Sequence, residues 1–276
     1  PVAHSFPTRR SSDLAGELDR PIIQAYLTGR EPGRAEPDVP AAHRVPFYGL
    51  ETPAESILDR WDWELCGQRF LGDAFPRVWL DFGPGAVAAF LGAELLSKPS
   101  ERTVWFRPRE QADITELRLP YRGDCPWLAR AKELAGAAAR RWCGQVQVGM
   151  VDLGGAVDIL STFRPSEQLL LDLYDHPDDV KRLVWEIHDA WFRYYEEIDA
   201  LLRPTNPGSS AWGGIFAPGS YYMLQCDFAY MIGPAMFDEF VRPELEAACK
   251  RLDRSFYHLD GPGQLAHLDS LLSIEQ

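Results

Sequence analysis

Lysine is scarce in this chain. Of 28 basic residues only Lys98, Lys132, Lys181 and Lys250 are lysines, and the arginine excess reads as codon composition. Positive charge as a whole is in deficit. The formal net charge of −13 argues against nucleic acid or an anionic membrane surface as a partner. No apolar run reaches the length of a membrane span. Cysteine is also sparse. Cys66, Cys125, Cys143, Cys226 and Cys249 are odd in number, and no pair has the spacing of a zinc knuckle. No secretory signal is evident, so a reducing cytoplasm is the expected location. Internal repeats and low-complexity linkers are lacking too.

Residues 1–14 lack apolar periodicity. They resemble a translated sequencing adapter and are expected to lie outside the fold. Residues 15–276 are then expected to form one domain. The remaining composition, 46% hydrophobic, is that of a globular chain with a sizeable core.

The pattern along the chain alternates strands with helices. Ile22, Ile23 and Leu27 suggest one short helix. Thr52-Pro-Ala-Glu55 reads as a capping box that opens a helix through Leu58, Trp61 and Leu65. Trp61 and Trp63 fall on different faces of it, so one of them should meet another segment. Arg77 to Phe82 reads as a strand closed by Gly83-Pro-Gly85. Thr103 to Phe106 is a further strand, and Ala129 to Trp142 a helix. Gln145 to Met150 is a strand. Asp152 and the Gly154-Gly155 pair follow it, and a helix containing Asp158 comes next. Val180, Leu183, Ile187, Trp191, Tyr195, Ile198 and Leu202 give one continuous apolar helix face. His188 lies next to that face and reads as a packing residue. Ala211 to Phe216 is an expected strand. Pro243 should kink or split the helix that starts at Gly233-Pro234.

The stretch Ser255 to Gly263 carries the most chemistry. It reads as a strand, a tight turn and the start of a helix. His258 and Asp260 are two residues apart and would project to the same side of an extended backbone. In a parallel α/β protein, such strand ends are where ligands bind. The bland alternative is that Asp260 only caps the following helix. Asp152 and Asp227 stand just after two other apolar stretches. The alternation itself fits either a barrel or a doubly wound sheet.

Residues Val148 to Ile274 resemble the uroporphyrinogen decarboxylase superfamily, which includes corrinoid- and zinc-dependent methyltransferases. The resemblance is carried by Asp152-Leu-Gly-Gly155, by Asp172-Leu-Tyr-Asp-His-Pro177 before a long helix, and by Cys226-Asp227. Met231 to Pro243 and His258-Leu-Asp-Gly261 complete it. It implies an α/β fold, a (β/α)8 TIM barrel with its active site at the C-terminal strand ends. It also implies that the barrel is incomplete, because family members continue beyond this strand. Asp260 stands where the zinc-dependent methyltransferases have cysteine. The arginine motif of the decarboxylases is not evident, and Arg44 and Arg60 do not sit in it.

The resemblance implies methyl transfer of a small-molecule substrate, with zinc or a corrinoid protein as possible participants. The expected catalytic residues are Asp260, Asp152 and Asp227. The expected metal ligands are His258, Asp260 and Cys226. Trp212, Tyr257, Gly154 and Gly155 are the expected substrate contacts. A metal-independent decarboxylase and a non-catalytic binding barrel are the alternatives.

Overall fold

The computed structural model describes residues 20–275. The expected leader, residues 1–14, lies outside them.

Four strands in two parallel pairs carry the architecture. β3 (Arg77–Trp79) pairs in parallel with β6 (Gln147–Gly149). β9 (Tyr221–Gln225) pairs in parallel with β10 (Arg254–His258). The two-residue β7 (Ser209–Ser210) joins the pairs. The Met150 amide donates to the Ser210 carbonyl at 2.8 Å, and β7 packs beside β9. The run β3, β6, β7, β9, β10 does not close into a barrel among the described residues, and β10 pairs with β9 alone.

Helices cover one side of this run. They include α1 (Ala54–Cys66), α2 (Val87–Phe90), α3 (Pro126–Trp142), α4 (Ala156–Phe163), α5 (Ser166–Asp175) and α6 (Pro177–Leu202). After β9 come α7 (Pro234–Phe240) and α8 (Arg242–Arg251), and after β10 comes α9 (Leu268–Leu272). The apolar face of α6 is buried from Val180 to Leu202, as its spacing requires. His188 is buried within it and meets Glu244 Oε1 at 2.8 Å. Pro243 splits the late helix, which breaks at Val241 into α7 and α8.

Side-chain alternation gives each strand an inner and a helix-facing side. Val148 and Met150 border Tyr195, Asp199 and Leu202 of α6, so Gln147 and Gly149 face inward. Their register partners Arg77 and Trp79 share that inner side. Tyr222 packs edge-on against Trp191 and Tyr195 of α6. Met223 and Gln225, with their partners Phe256 and His258, therefore face inward.

Several expectations are corrected. Residues 22–27 do not form a helix. β1 (Gln24–Leu27) pairs antiparallel with β2 (Arg69–Gly72), because an isolated apolar triplet lacks the length to nucleate a helix. The Thr52 capping box does not form. The Thr52 hydroxyl donates to the Tyr48 carbonyl at 2.6 Å, and Pro53 takes the cap position. The strand expected over 77–82 stops at Trp79. The strand expected over 211–216 is instead a hairpin tip. β7 pairs antiparallel with β8 (Phe216–Ala217), and the Gly-Gly pair lies in the turn between them. Tyr221–Gln225 supplies the parallel strand in its place. Thr103–Arg107 (β5) is a strand, but it pairs antiparallel with β4 (Glu94–Lys98), away from the parallel run. Trp61 is buried, whereas Trp63 donates to the Arg34 carbonyl at 3.3 Å and so meets another segment.

Candidate functional site

Parallel strands deliver their C-terminal ends to one side of the molecule. Asp81 follows β3, Asp152 follows β6, Asp227 follows β9 and Asp260 follows β10. Asp158 joins them from the first turn of α4.

His258 is the last residue of β10. Its imidazole meets the indole of Trp212 edge to face, with centroids 4.8 Å apart. Its Nε2 lies 4.0 Å from Asp260 Oδ1, with side-chain exposures of 37% and 65% for the two residues. The imidazole is thus neither buried among apolar groups nor locked by a strong hydrogen bond. Asp260 does not cap the next element. Gly261 holds that position, and no side chain closes the turn. Asp227 stands on the rim. Burial by its surroundings raises its carboxyl, Asp260 raises it further, and His258 pulls it down. These three residues and Trp212 form the open part of the site.

The inner part is acidic and closed. Asp152 is 6% exposed. Its Oδ1 accepts from the Gly154 amide at 3.1 Å and from the Tyr222 hydroxyl at 3.4 Å. Burial raises this carboxyl to about 7, and nearby Asp81 adds to the effect. Asp158 accepts from the amides of Asp227 at 3.0 Å and Phe228 at 2.7 Å. Burial raises it to about 7 as well, with Asp227 and Asp152 contributing. A line of carboxyls therefore runs from Asp81 through Asp152 and Asp158 to Asp227 and Asp260. Asp81 raises Asp152, Asp227 and Asp152 raise Asp158, and Asp260 raises Asp227. The two central acids are partly protonated near pH 7, which lessens the mutual repulsion. Asp81 is kept company by Arg44, whose Nη1 lies 2.6 Å from Asp81 Oδ1.

The other expected residues divide by face. Trp212 touches His258. Tyr257 does not share that surface. It projects to the helix side, where its hydroxyl donates to Gln264 Oε1 at 3.2 Å. Cys226 is buried beside Tyr257 and Asp158, away from His258, and burial pushes its thiol far up. Among the described residues, no three His, Cys, Asp or Glu side chains converge to hold a metal. The set His258, Asp260 and Cys226 is split because Cys226 alternates to the opposite side of its extended segment. A raised, buried thiol is also a poor source of thiolate. The donor set in place does not fit zinc.

Gly154 and Gly155 are filled by the protein itself. Gly154 has φ +83, and a Cβ there would come within 2.6 Å of Gly85 Cα. At Gly155 a Cβ would meet the Gln225 carbonyl oxygen at 2.2 Å. These glycines bring the three strand ends together and leave no room for a ligand at that point.

Sequence reasoning missed Asp81, Tyr222 and the pairing role of Asp158. Asp81 had a usable signal: it precedes a Gly-rich turn by two residues, as Asp152 does.

No family model matches the chain, and no curated protein matches it. Among solved structures, it is similar to a methyltransferase from Methanosarcina mazei, with a TM-score of 0.64 at 13% identity. The match covers 97% of this chain and 73% of that one. At that identity the likeness establishes the mixed α/β fold. No helix among the described residues is long and apolar enough to cross a membrane.

Proposed function

We propose that this protein is an enzyme that transfers a methyl group to a small molecule at the strand-end site around His258. The observation that carries the reading is the grouping of His258, Asp260, Asp227 and Trp212 at the open end of a methyltransferase-like fold. An accessible imidazole flanked by two carboxylates is suited to general-base work. In this reading the acceptor heteroatom gives its proton to His258 as it attacks the methyl carbon. The bond from that carbon to the donor breaks, and its electron pair leaves with the donor. Asp260 and Asp227 stabilise the imidazolium that results. Trp212 holds the imidazole by its ring edge and supplies an apolar wall for the methyl group. Asp152 and Asp158 support the site from behind, anchoring the turn that presents Asp227. A corrinoid-bearing partner protein is the donor class that the superfamily resemblance supports. Zinc has no role in this step, since the described residues at the site do not form its ligand set.

The test is a turnover assay with methylcobalamin and a panel of small thiols and amines, read by mass of the methylated product. Product should form, and His258→Ala should lower its rate by about 100-fold or more while circular dichroism stays unchanged. Absence of product with every acceptor, or full activity in the variant, would overturn the reading.

The raised Asp227 carboxyl favours one second reading, a metal-independent decarboxylase in which that acid protonates a carbanion. Release of carbon dioxide from a carboxylated substrate without methyl transfer would select it.

A further inference from the structure

Arg77 stands apart from the other arginines. The chain has 41 acidic residues against 28 basic ones, and its arginines pair freely. Arg44 meets Asp81, Arg60 meets Glu36, Arg164 meets Asp172 and Arg203 meets Asp199. The exposed Arg30, Arg69 and Arg140 have no ion pair either, but among the described arginines that are not exposed the Arg77 side chain alone makes no hydrogen bond or ion pair; the residue is half-buried and its Nη1 is enclosed and unpartnered. Enclosing one edge of a guanidinium without a counter-charge or an acceptor is costly. In so acidic a chain an acid could easily have been supplied from within.

Most of the unpartnered groups on the same inner face can donate a hydrogen bond. Trp79 Nε1, Trp212 Nε1 and Ser210 Oγ are buried and unpartnered as well. All three can donate a hydrogen bond, and the indoles can only donate. Ser210 is 1% exposed, and its Oγ lies 3.4 Å from where a Cβ on Gly149 would stand. Gly149 is in turn the register partner of Trp79. One acceptor, Gln147 Oε1, is unpartnered beside them, next to Arg77 in register.

One backbone segment joins these groups to the open site. Gly214, with φ +72, lies against the guanidinium: a Cβ there would come within 2.7 Å of Arg77 Cζ and 3.0 Å of both Nη atoms. Two residues earlier, Trp212 meets His258. The hairpin tip between β7 and β8 therefore touches the cation at one end and the imidazole at the other.

We propose that Arg77, Trp79, Ser210 and Trp212 form a binding site for the oxyanion end of a small ligand: a carboxylate, sulfonate or phosphate group. A planar guanidinium with flanking N–H and O–H donors matches such a group in charge and in hydrogen-bond direction. The site does not depend on the methyl-transfer reading. It fixes one end of a molecule on the inner face, whatever reaction His258 performs on the other.

The experiment is isothermal titration of the full chain with acetate, sulfate and inorganic phosphate, each at constant ionic strength set by sodium chloride. At least one anion should bind saturably at a single site. Arg77→Gln should weaken it by about tenfold or more, with Arg77→Lys intermediate. Trp212→Phe keeps the ring, removes the donor and should weaken binding a few-fold. Arg140→Gln, on the exposed side of α3, should bind as the parent does. Thermal melting supplies a second readout. The bound anion should raise the melting temperature of the parent and leave that of Arg77→Gln unmoved. If Arg77→Gln fails to fold, Trp212→Phe and Arg77→Lys carry the test. No saturable binding of any of the three anions would overturn the proposal, and so would undiminished binding in the Arg77 and Trp212 variants. The titration needs no methyl donor or acceptor, so its failure is distinct from failure of the turnover assay.

Discussion

Two strand-to-helix turns in this molecule look alike in sequence and behave differently. Asp152-Leu-Gly-Gly155 follows β6, and His258-Leu-Asp-Gly261 follows β10. Each sets an acid at a strand end with glycine close behind. In the first, the glycines let Gly85 and Gln225 press in, and backbone amides and Tyr222 hold the acid. In the second, nothing lies within 4 Å of a Cβ placed on Gly261, and Asp260 has only His258 at 4.0 Å. The first turn spends its polar groups on the fold. The second leaves them free for a ligand. An acid before glycine thus marks a turn, and its neighbours in space decide whether the turn does chemistry.

The sharpest way to break the comparison is to remove the free group. His258→Ala should lower kcat/KM by about 100-fold to 10,000-fold, the usual range for a general base, with little change in stability. Stopped turnover with an unchanged denaturation midpoint is the expected pair of results. A loss of stability comparable to that of a core variant would place His258 with the structural turn.

Next in size is Gly155→Ala. The added carbon would sit 2.2 Å from the Gln225 carbonyl and 2.7 Å from Asp158 Oδ2. Backbone must move, at a cost on the order of 1–3 kcal/mol by analogy with overpacked cores. Gly261→Ala meets no atoms, but φ +77 with ψ 171 is a conformation essentially confined to glycine, so it too costs on the order of 1–3 kcal/mol, through strain and not crowding. Urea denaturation reads both costs, and Gly155→Ala alone should also shift the Asp158 titration, because its added carbon presses on Oδ2. An unchanged Asp158 titration in Gly155→Ala would show that this turn is not closed by its neighbours.

Asp152 and Asp158 add a pH signature. Each has a folded-state pKa raised by burial to about 7 from the ordinary aspartate value of 3.8. The folded state therefore binds these protons more tightly than the unfolded chain does. Their contribution to stability is fully present below about pH 4 and is lost as pH rises through about 7. The contribution is on the order of a few kcal/mol for each acid, and the two are coupled. Asp152→Asn should flatten that slope and be more stable than the parent at pH 8. Melting temperatures between pH 4 and pH 8 check this. A slope unchanged in the variant would show that Asp152 titrates normally.

What could be read beforehand follows from the range of the interactions. The long face of α6, the split at Pro243 and the strands 77–79, 147–149 and 254–258 were legible, because periodicity and proline act locally. The 22–27 strand was not, since its partner Arg69–Gly72 lies far along the chain. The 211–216 error has the same origin: a two-residue strand followed by a glycine turn cannot be told from one longer strand until its neighbours are known. Within the site, the juxtaposition of His258 and Asp260 was visible from their spacing alone. The separation of Tyr257 and Cys226 from them depends on which face the helices cover. Asp158 was visible in its helix, but its role was not, because its amide partners are at Asp227 and Phe228, 69 and 70 residues away.

The smallest expected effect falls on Asp260 itself. It is exposed, caps nothing and touches one imidazole at the limit of an ion pair. An exposed pair of that kind contributes little to stability. Asp260→Asn should therefore leave the denaturation midpoint within about 0.5 kcal/mol of the parent. Its electrostatic role should still be visible one residue away in space. Asp227 is raised first by burial and then by the Asp260 charge, so removing that charge should lower the Asp227 pKa without returning it to the ordinary carboxylate range. A carboxyl-detected NMR titration of the two proteins reads the shift. If Asp227 titrates identically in both, the two acids do not share a site. The open end of the molecule would then hold His258 and Asp260 without a second carboxylate to balance the imidazolium.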